Sequence, residues 1–174
     1  MIKLYVANLG KYVEGSLVGG WIALPVDEEE FKTFLTDVVG INEEYEEYAI
    51  HDYESDINDL KIGEYDSIDE LNEIAILYDC MQDYEKLVVE SIMEWNYYGS
   101  GSSALKESIE QVENFYLLSD VNNDSDYGYY LVEEGSIGEI PSYLENYIDY
   151  EGLGRDNYIN GECYYSVNGL INKC

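Results

Sequence analysis

Thirty net negative charges, from 38 Asp and Glu against eight Lys and Arg, are spread along the whole of this 174-residue chain. Any compact state must overcome their mutual repulsion. The acids do not form a tail: net charge is −11 over residues 1–60, −8 over 61–103 and −11 over 104–174. Disorder is a common outcome for acidic chains, but it goes with few aromatics and low hydrophobicity. Here 46% of residues are hydrophobic and 20 are Tyr, so the chain is expected to fold. An excess of this size steers a protein toward cationic partners. Anionic lipid headgroups repel it, and DNA binding needs clustered Lys and Arg, so neither a membrane nor nucleic acid is expected as a partner. A halophilic surface and metal storage would also use many acids; abundant Asn, Ile and Tyr speak against the first.

The organisation reads as α+β, with strands at both ends and helices between. Ile2, Leu4 and Val6 alternate in IKLYVANL, and LVGGWIALP follows after a connection bracketed by Gly10 and Gly15, which suggests two antiparallel strands. Asp27 opens a helix in which Phe31, Phe34, Leu35 and Val38 recur at helical spacing and Gly40 ends the run. Residues 48–53 read as a third strand. Ser67 and Glu70 fit a capping box ahead of the stripe Ile68, Leu71, Ala75 and Tyr78. A second stripe is Tyr84, Leu87, Val88, Ile92 and Trp95. Gly99-Ser100-Gly101-Ser102 then forms a loop before a third, Leu105, Ile109, Val112 and Tyr116. FYLL at 115–118 is strand-like, 127–135 fits helix or strand, and Pro141 predicts a helix from Ser142 with Tyr143, Leu144 and Tyr147 on one side. Gly152 and Gly154 read as punctuation, and the C-terminal residues as a hairpin turning at Asn168-Gly169. These readings divide the chain into an N-terminal α+β unit (1–60), a central helical unit (61–103) and a C-terminal α+β unit (104–174).

No apolar stretch follows a basic start and no run approaches the ~20 residues of a membrane span, so a mature, soluble, cytoplasmic protein is expected. Cys80, Cys163 and Cys174 are odd in number and lack paired spacing, which suggests reduced thiols.

Catalytic chemistry finds little footing. The stretch from Asp120 to Asp126 resembles the start of an EF-hand, but Ser125 replaces the turning Gly and Leu131 the bidentate Glu, so a solvated acidic loop is expected. His51 is the sole histidine, which excludes a multi-His metal centre; it reads as a strand residue with a structural hydrogen bond. No nucleophile elbow or phosphate-binding loop accompanies it. Arg155, the sole Arg, sits amid Asp149, Glu151 and Asp156 and reads as one half of a structural ion pair. No enzyme activity, cofactor or metal is expected.

The acids can instead act together. B-DNA carries about one charge per 1.7 Å of axis, so 30 charges match the phosphates of roughly 51 Å of duplex, or about 15 base pairs. Rows such as Glu90 with Glu94, or Glu107 with Glu110, place carboxylates about 5–6 Å apart on one helix face. Further carboxylates expected on this surface are Asp27, Glu28 and Glu29, then Glu43, Glu44, Glu46 and Glu47. Asp69, Glu70, Glu73, Asp83 and Glu113 complete the set.

IKLYVANLGKYVEGSLVGGWIALPVD, EEYEEYAIHDYE and YYLVEEGSIGEIPSYLENYIDYEGLGRD together resemble the ArdA antirestriction proteins of mobile genetic elements, and residues 131–156 resemble that family's antirestriction motif. The resemblance implies an elongated, acidic homodimer of three small domains per chain that mimics bent B-form DNA in a bacterial cytoplasm. It implies binding to type I restriction-modification enzymes, in the DNA groove formed by the specificity and modification subunits, with no catalysis and no cofactor. Within the motif, Leu131, Glu133, Glu134, Ile140, Pro141 and Tyr143 are candidate motif or dimer-contact residues. So are Leu144, Tyr147, Ile148, Asp149, Tyr150, Arg155 and Asp156. A symmetric contact between such charged chains must gather apolar and aromatic groups, and residues 140–150 are the densest patch of them; the same residues could serve as domain core. The competing function is an acidic chaperone or sequestering module for a basic DNA-binding protein.

Overall fold

The computed structural model describes residues 2–174. Its first sheet has the order β2-β1-β3, with β1 at Ile2–Asn8, β2 at Gly19–Leu24 and β3 at Tyr48–Ser55. Both pairings are antiparallel, with Leu4 opposite Ile22 on one side and Tyr53 on the other. The alternation of Ile2, Leu4 and Val6 buries all three, as the period of two requires. The connection between β1 and β2 contains a short helix, α1 (Leu9–Val13). Asn8 is fully buried between them: its oxygen accepts from Lys11 N (3.0 Å) and its amide donates to the carbonyls of Val39 and Gly40 (both 3.2 Å).

Asp27 caps α2 (Glu28–Phe34) by accepting from Glu30 N at 2.8 Å. The helix then widens into a π-turn at Leu35–Val39, and Gly40 ends it with φ +74°. Three helices follow: α3 (Ile68–Cys80), α4 (Asp83–Trp95) and α5 (Ser102–Glu110). At the start of α3 Ser67 Oγ accepts from Glu70 N, one of the two bonds of the expected capping box, and Glu85 accepts from Gln82 N at the start of α4. One continuous apolar cluster runs from Ile2 and Leu4 through Ile57, Leu60 and Ile68 to Met93, Leu105 and Ile109, so the first sheet and the central helices share a core.

The stripe expected on α4 needs correction. Tyr84 and Leu87 are exposed, and the buried positions are Val88, Val89, Ser91, Ile92 and Met93. The reason is tertiary: Val89 and Met93 face the first core, whereas Val88 and Ile92 face a second one with Phe115, Leu117 and Ile171. A helix sandwiched between two layers buries adjacent positions, not a single stripe.

The second sheet has the order β4-β6-β5, with β4 at Phe115–Leu118, β5 at Cys163–Ser166 and β6 at Gly169–Lys173. Ser166 pairs with Gly169, so the hairpin turns at Val167-Asn168, one residue earlier than expected. Against this sheet lie α6 (Asp124–Glu133) and α7 (Tyr150–Asn160). The ambiguous 127–135 stretch is therefore mainly helix. The helix expected from Ser142 is replaced by a turn and a short 3-10 segment at Glu145–Tyr147, and the real helix begins after it, where Asp149 accepts from Gly152 N at 2.9 Å.

Gly128 and Gly154 explain why α7 exists where glycines suggested a loop. A Cβ on Gly128 would lie 1.9 Å from the Tyr150 carbonyl oxygen, and one on Gly154 would lie 1.8 Å from that of Asp124. The two helices touch backbone to backbone, and only glycine permits it. Beside the crossing, Tyr129 stacks on Tyr150 with ring centroids 3.8 Å apart. The architecture is α+β, with a sheet near each end and helices between.

Candidate binding surface

The acids sort into a majority that faces solvent and a minority built into the structure. Asp27, Glu28 and Glu29 are exposed at the N-terminus of α2, where the helix dipole favours negative charge. Glu43, Glu44, Glu46 and Glu47 are exposed on the loop before β3. That loop is ordered by Asn42, whose oxygen accepts from Glu44 N (2.9 Å) and Tyr45 N (3.1 Å). Asp69, Glu70 and Glu73 share the outer side of α3, Asp83 starts α4, and Glu110 and Glu113 are exposed at the end of α5 and just beyond it. Glu107 is half-buried.

Glu90 and Glu94 depart from the expected exposed row. Both are half-buried: Tyr78 OH donates to Glu90 (2.9 Å) across α3 and α4, and Val167 N donates to Glu94 (3.0 Å), tying the C-terminal hairpin to α4. Burial and then the bond to Glu90 push the Tyr78 phenol well above its ordinary range. These two acids hold elements together, a role that only the tertiary contacts disclose.

Few cations offset the rest. Ion pairs among the described residues join Lys3 to Glu54 (3.5 Å), Lys32 to Glu28, Lys106 to Glu73 (3.0 Å) and Lys173 to Glu162 (3.3 Å). The hydrogen bond from Lys32 holds the Glu28 carboxyl below its usual value. Such exposed pairs contribute little stability. Arg155, expected in an ion pair, is exposed on α7 with no carboxylate at ion-pair distance among the described residues.

Two other expectations change. The acidic stretch 120–126 is a loop only as far as Asn123, and its last three residues open α6: Asn123 caps Asp126 N (3.0 Å), and Asp124 accepts from Tyr165 OH (3.0 Å). No group of three His, Cys, Asp or Glu among the described residues is placed to hold a metal. His51 lies in β3 edge-on to Tyr12, 4.6 Å between centroids, but its buried Nε2 has no hydrogen-bond partner among the described residues.

A second kind of surface lies between α6 and α7. Leu131 is buried, while Glu133 and Glu134 are exposed. From there the chain runs outward: Pro141 is exposed, Tyr143 is 73% and Tyr147 85% exposed, and Leu144 is 43%. Ile140, Ile148 and Tyr150 are half-buried, Asp149 caps α7, and Asp156 is exposed beside Arg155. The aromatics at 143 and 147 are thus not core of this chain. Among the described residues, no helix is long and apolar enough to cross a membrane.

Residues 4–172 match the family described as antirestriction protein (ArdA), which is 169 of the chain's 174 residues. No curated protein matches the sequence significantly.

Proposed function

Since this chain belongs to the ArdA antirestriction family, a family of inhibitor proteins, we propose that it inhibits type I restriction-modification enzymes by occupying, in place of DNA, the groove formed by their specificity and modification subunits. The observation that carries this reading is the outward display of carboxylates on ordered elements, from Asp27 and Glu28 at the start of α2 to Asp69, Glu70 and Glu73 on α3 and Glu110 and Glu113 at the end of α5 and just beyond it, with few cations to neutralise them. Charge held on helices and capped loops costs little reorganisation on docking, which favours a preorganised decoy over a flexible acidic chain. The segments 1–60, 61–103 and 104–174 each supply part of the surface. Homodimerisation through Tyr143, Leu144 and Tyr147 would extend it, and the exposure of these side chains supports that contact.

The test is a titration of a DNA-loaded type I methyltransferase with the protein. Stoichiometric release of DNA is expected, weakening between about 50 and 300 mM salt as screening grows, while unrelated DNA-binding proteins keep their DNA. Equal release from all of them would favour a general acidic sequestering module.

A further inference from the structure

A groove of about 570 Å³ opens between α2 and α3 beside the acidic surface. Phe31 and Leu35 line one wall, Ile68 and Ile76 the other, with Val26 and Tyr48 between them. It is not an accident of loose packing. Asn72 of α3 accepts from Val26 N (2.8 Å) and donates to Val26 O (2.9 Å), fixing the strand-to-helix connection against the far helix. Phe31 and Tyr48 meet edge to face at 6.3 Å. Yet Ile76 remains 47% exposed and Tyr48 37%. Asp27, Glu28, Asp69 and Glu73 also line the groove, and Lys32, the one cation among its lining residues, is bonded to Glu28.

A surface that competes with phosphates alone has no use for an apolar cleft at its edge. We propose that this groove receives an apolar side chain, Leu-like or aromatic, carried on a Lys- or Arg-bearing segment of the partner protein, so that recognition combines the acidic rim with an apolar anchor. Charge selects the occupant. The rim of Asp27, Glu28, Asp69 and Glu73 repels an equally acidic face, whereas a basic segment is attracted by it and can bury its apolar residue against Ile76 and Phe31. The volume is within the roughly 300–1,000 Å³ usual for sites that enclose small groups. This inference rests on the proposed function only for the identity of the protein that supplies the segment.

The test uses two synthetic peptides of equal length and charge, one interleaving Lys with Leu at helical spacing and one interleaving Lys with Ser, titrated into the full chain at about 300 mM salt to suppress general attraction. The Lys/Leu peptide is expected to bind about tenfold more tightly, the scale of burying one aliphatic side chain, and to shift the NMR signals of Ile76, Phe31 and Tyr48. Ile76→Gln, which removes the apolar wall, and Ile76→Trp, which fills the cleft, should each abolish that preference while circular dichroism stays unchanged. Equal binding of the two peptides, or a preference that survives in both variants, would overturn the proposal. Peptide preference is read without any enzyme, so failure of DNA release by the wild-type protein counts against the preceding reading and leaves this result standing.

Discussion

The helices α3, α4 and α5 and the pair α6 and α7 solve one problem in opposite ways. In the first group, side chains do the packing: Leu71, Ile74, Val89, Met93 and Leu105 are all nearly or fully buried and keep the helix backbones apart. In the second, side chains are absent where it matters, and Gly128 and Gly154 let two backbones meet. Tyr129 then stacks on Tyr150 beside the contact, and Tyr158 of α7 stacks on Tyr165 of β5 at 4.7 Å. An apolar stripe tolerates some exchange of one hydrocarbon for another. A glycine crossing tolerates none, because the obstacle is main chain. The comparison teaches that the α6–α7 part of this protein is sterically the stricter part, although it is the poorer in aliphatic core.

The sharpest way to break that contrast is Gly154→Ala. Its single added methyl has nowhere to go, and the expected loss is about 3 kcal/mol or more, seen as a collapse of the melting temperature in thermal circular dichroism. A stability change under about 0.5 kcal/mol would show that α7 can slide away from α6. Leu105→Ala, in the side-chain-packed group, should cost about 3 kcal/mol through a cavity, but with the native spectrum kept below the transition.

Alkaline pH sharpens the comparison from the tyrosine side. Burial raises the Tyr127 phenol from 10.0 to about 12. Between those values the unfolded chain releases a proton that the folded chain retains, so stability must fall as pH rises through that window. In Tyr127→Phe the decline between about pH 10 and 12 should be shallower in chemical denaturation; an unchanged slope would mean that this phenol ionises freely in the fold.

The smallest effect on folding is expected from Tyr143→Ser combined with Tyr147→Ser. Both side chains face solvent, so the melting temperature of the monomer should hardly move, while sedimentation should show a loss of self-association. A dimer of undiminished strength in the folded double variant would place the contact elsewhere. Neutralising a single exposed acid, such as Glu110→Gln, should leave inhibition in a DNA-competition assay almost intact, since no one carboxylate dominates a charge of −30.

Local pattern was enough wherever a residue's neighbours in the chain decide its environment. The strands β1 and β2 announce themselves by alternation, α2 by the Asp27 cap, and α3 by Ser67 followed by a regular apolar stripe. The charge, its spread and the resemblance of residues 131–156 to an antirestriction motif are likewise properties of the string of residues. What the string could not disclose is which side of an element meets which layer. Val88 and Val89 both face core because α4 lies between two layers. Glu90 and Glu94 look like an exposed acidic row until Tyr78 and Val167 N, brought from elsewhere in the chain, satisfy them. Gly154 reads as a breaker because helix propensity counts the cost of a missing side chain, whereas the gain from a backbone crossing exists only once α6 is alongside. The sequence by itself therefore determined the charge, the α+β class and the family. The tertiary structure alone decided which acids are free to meet a partner, because freedom from a hydrogen bond depends on atoms distant in sequence and near in space.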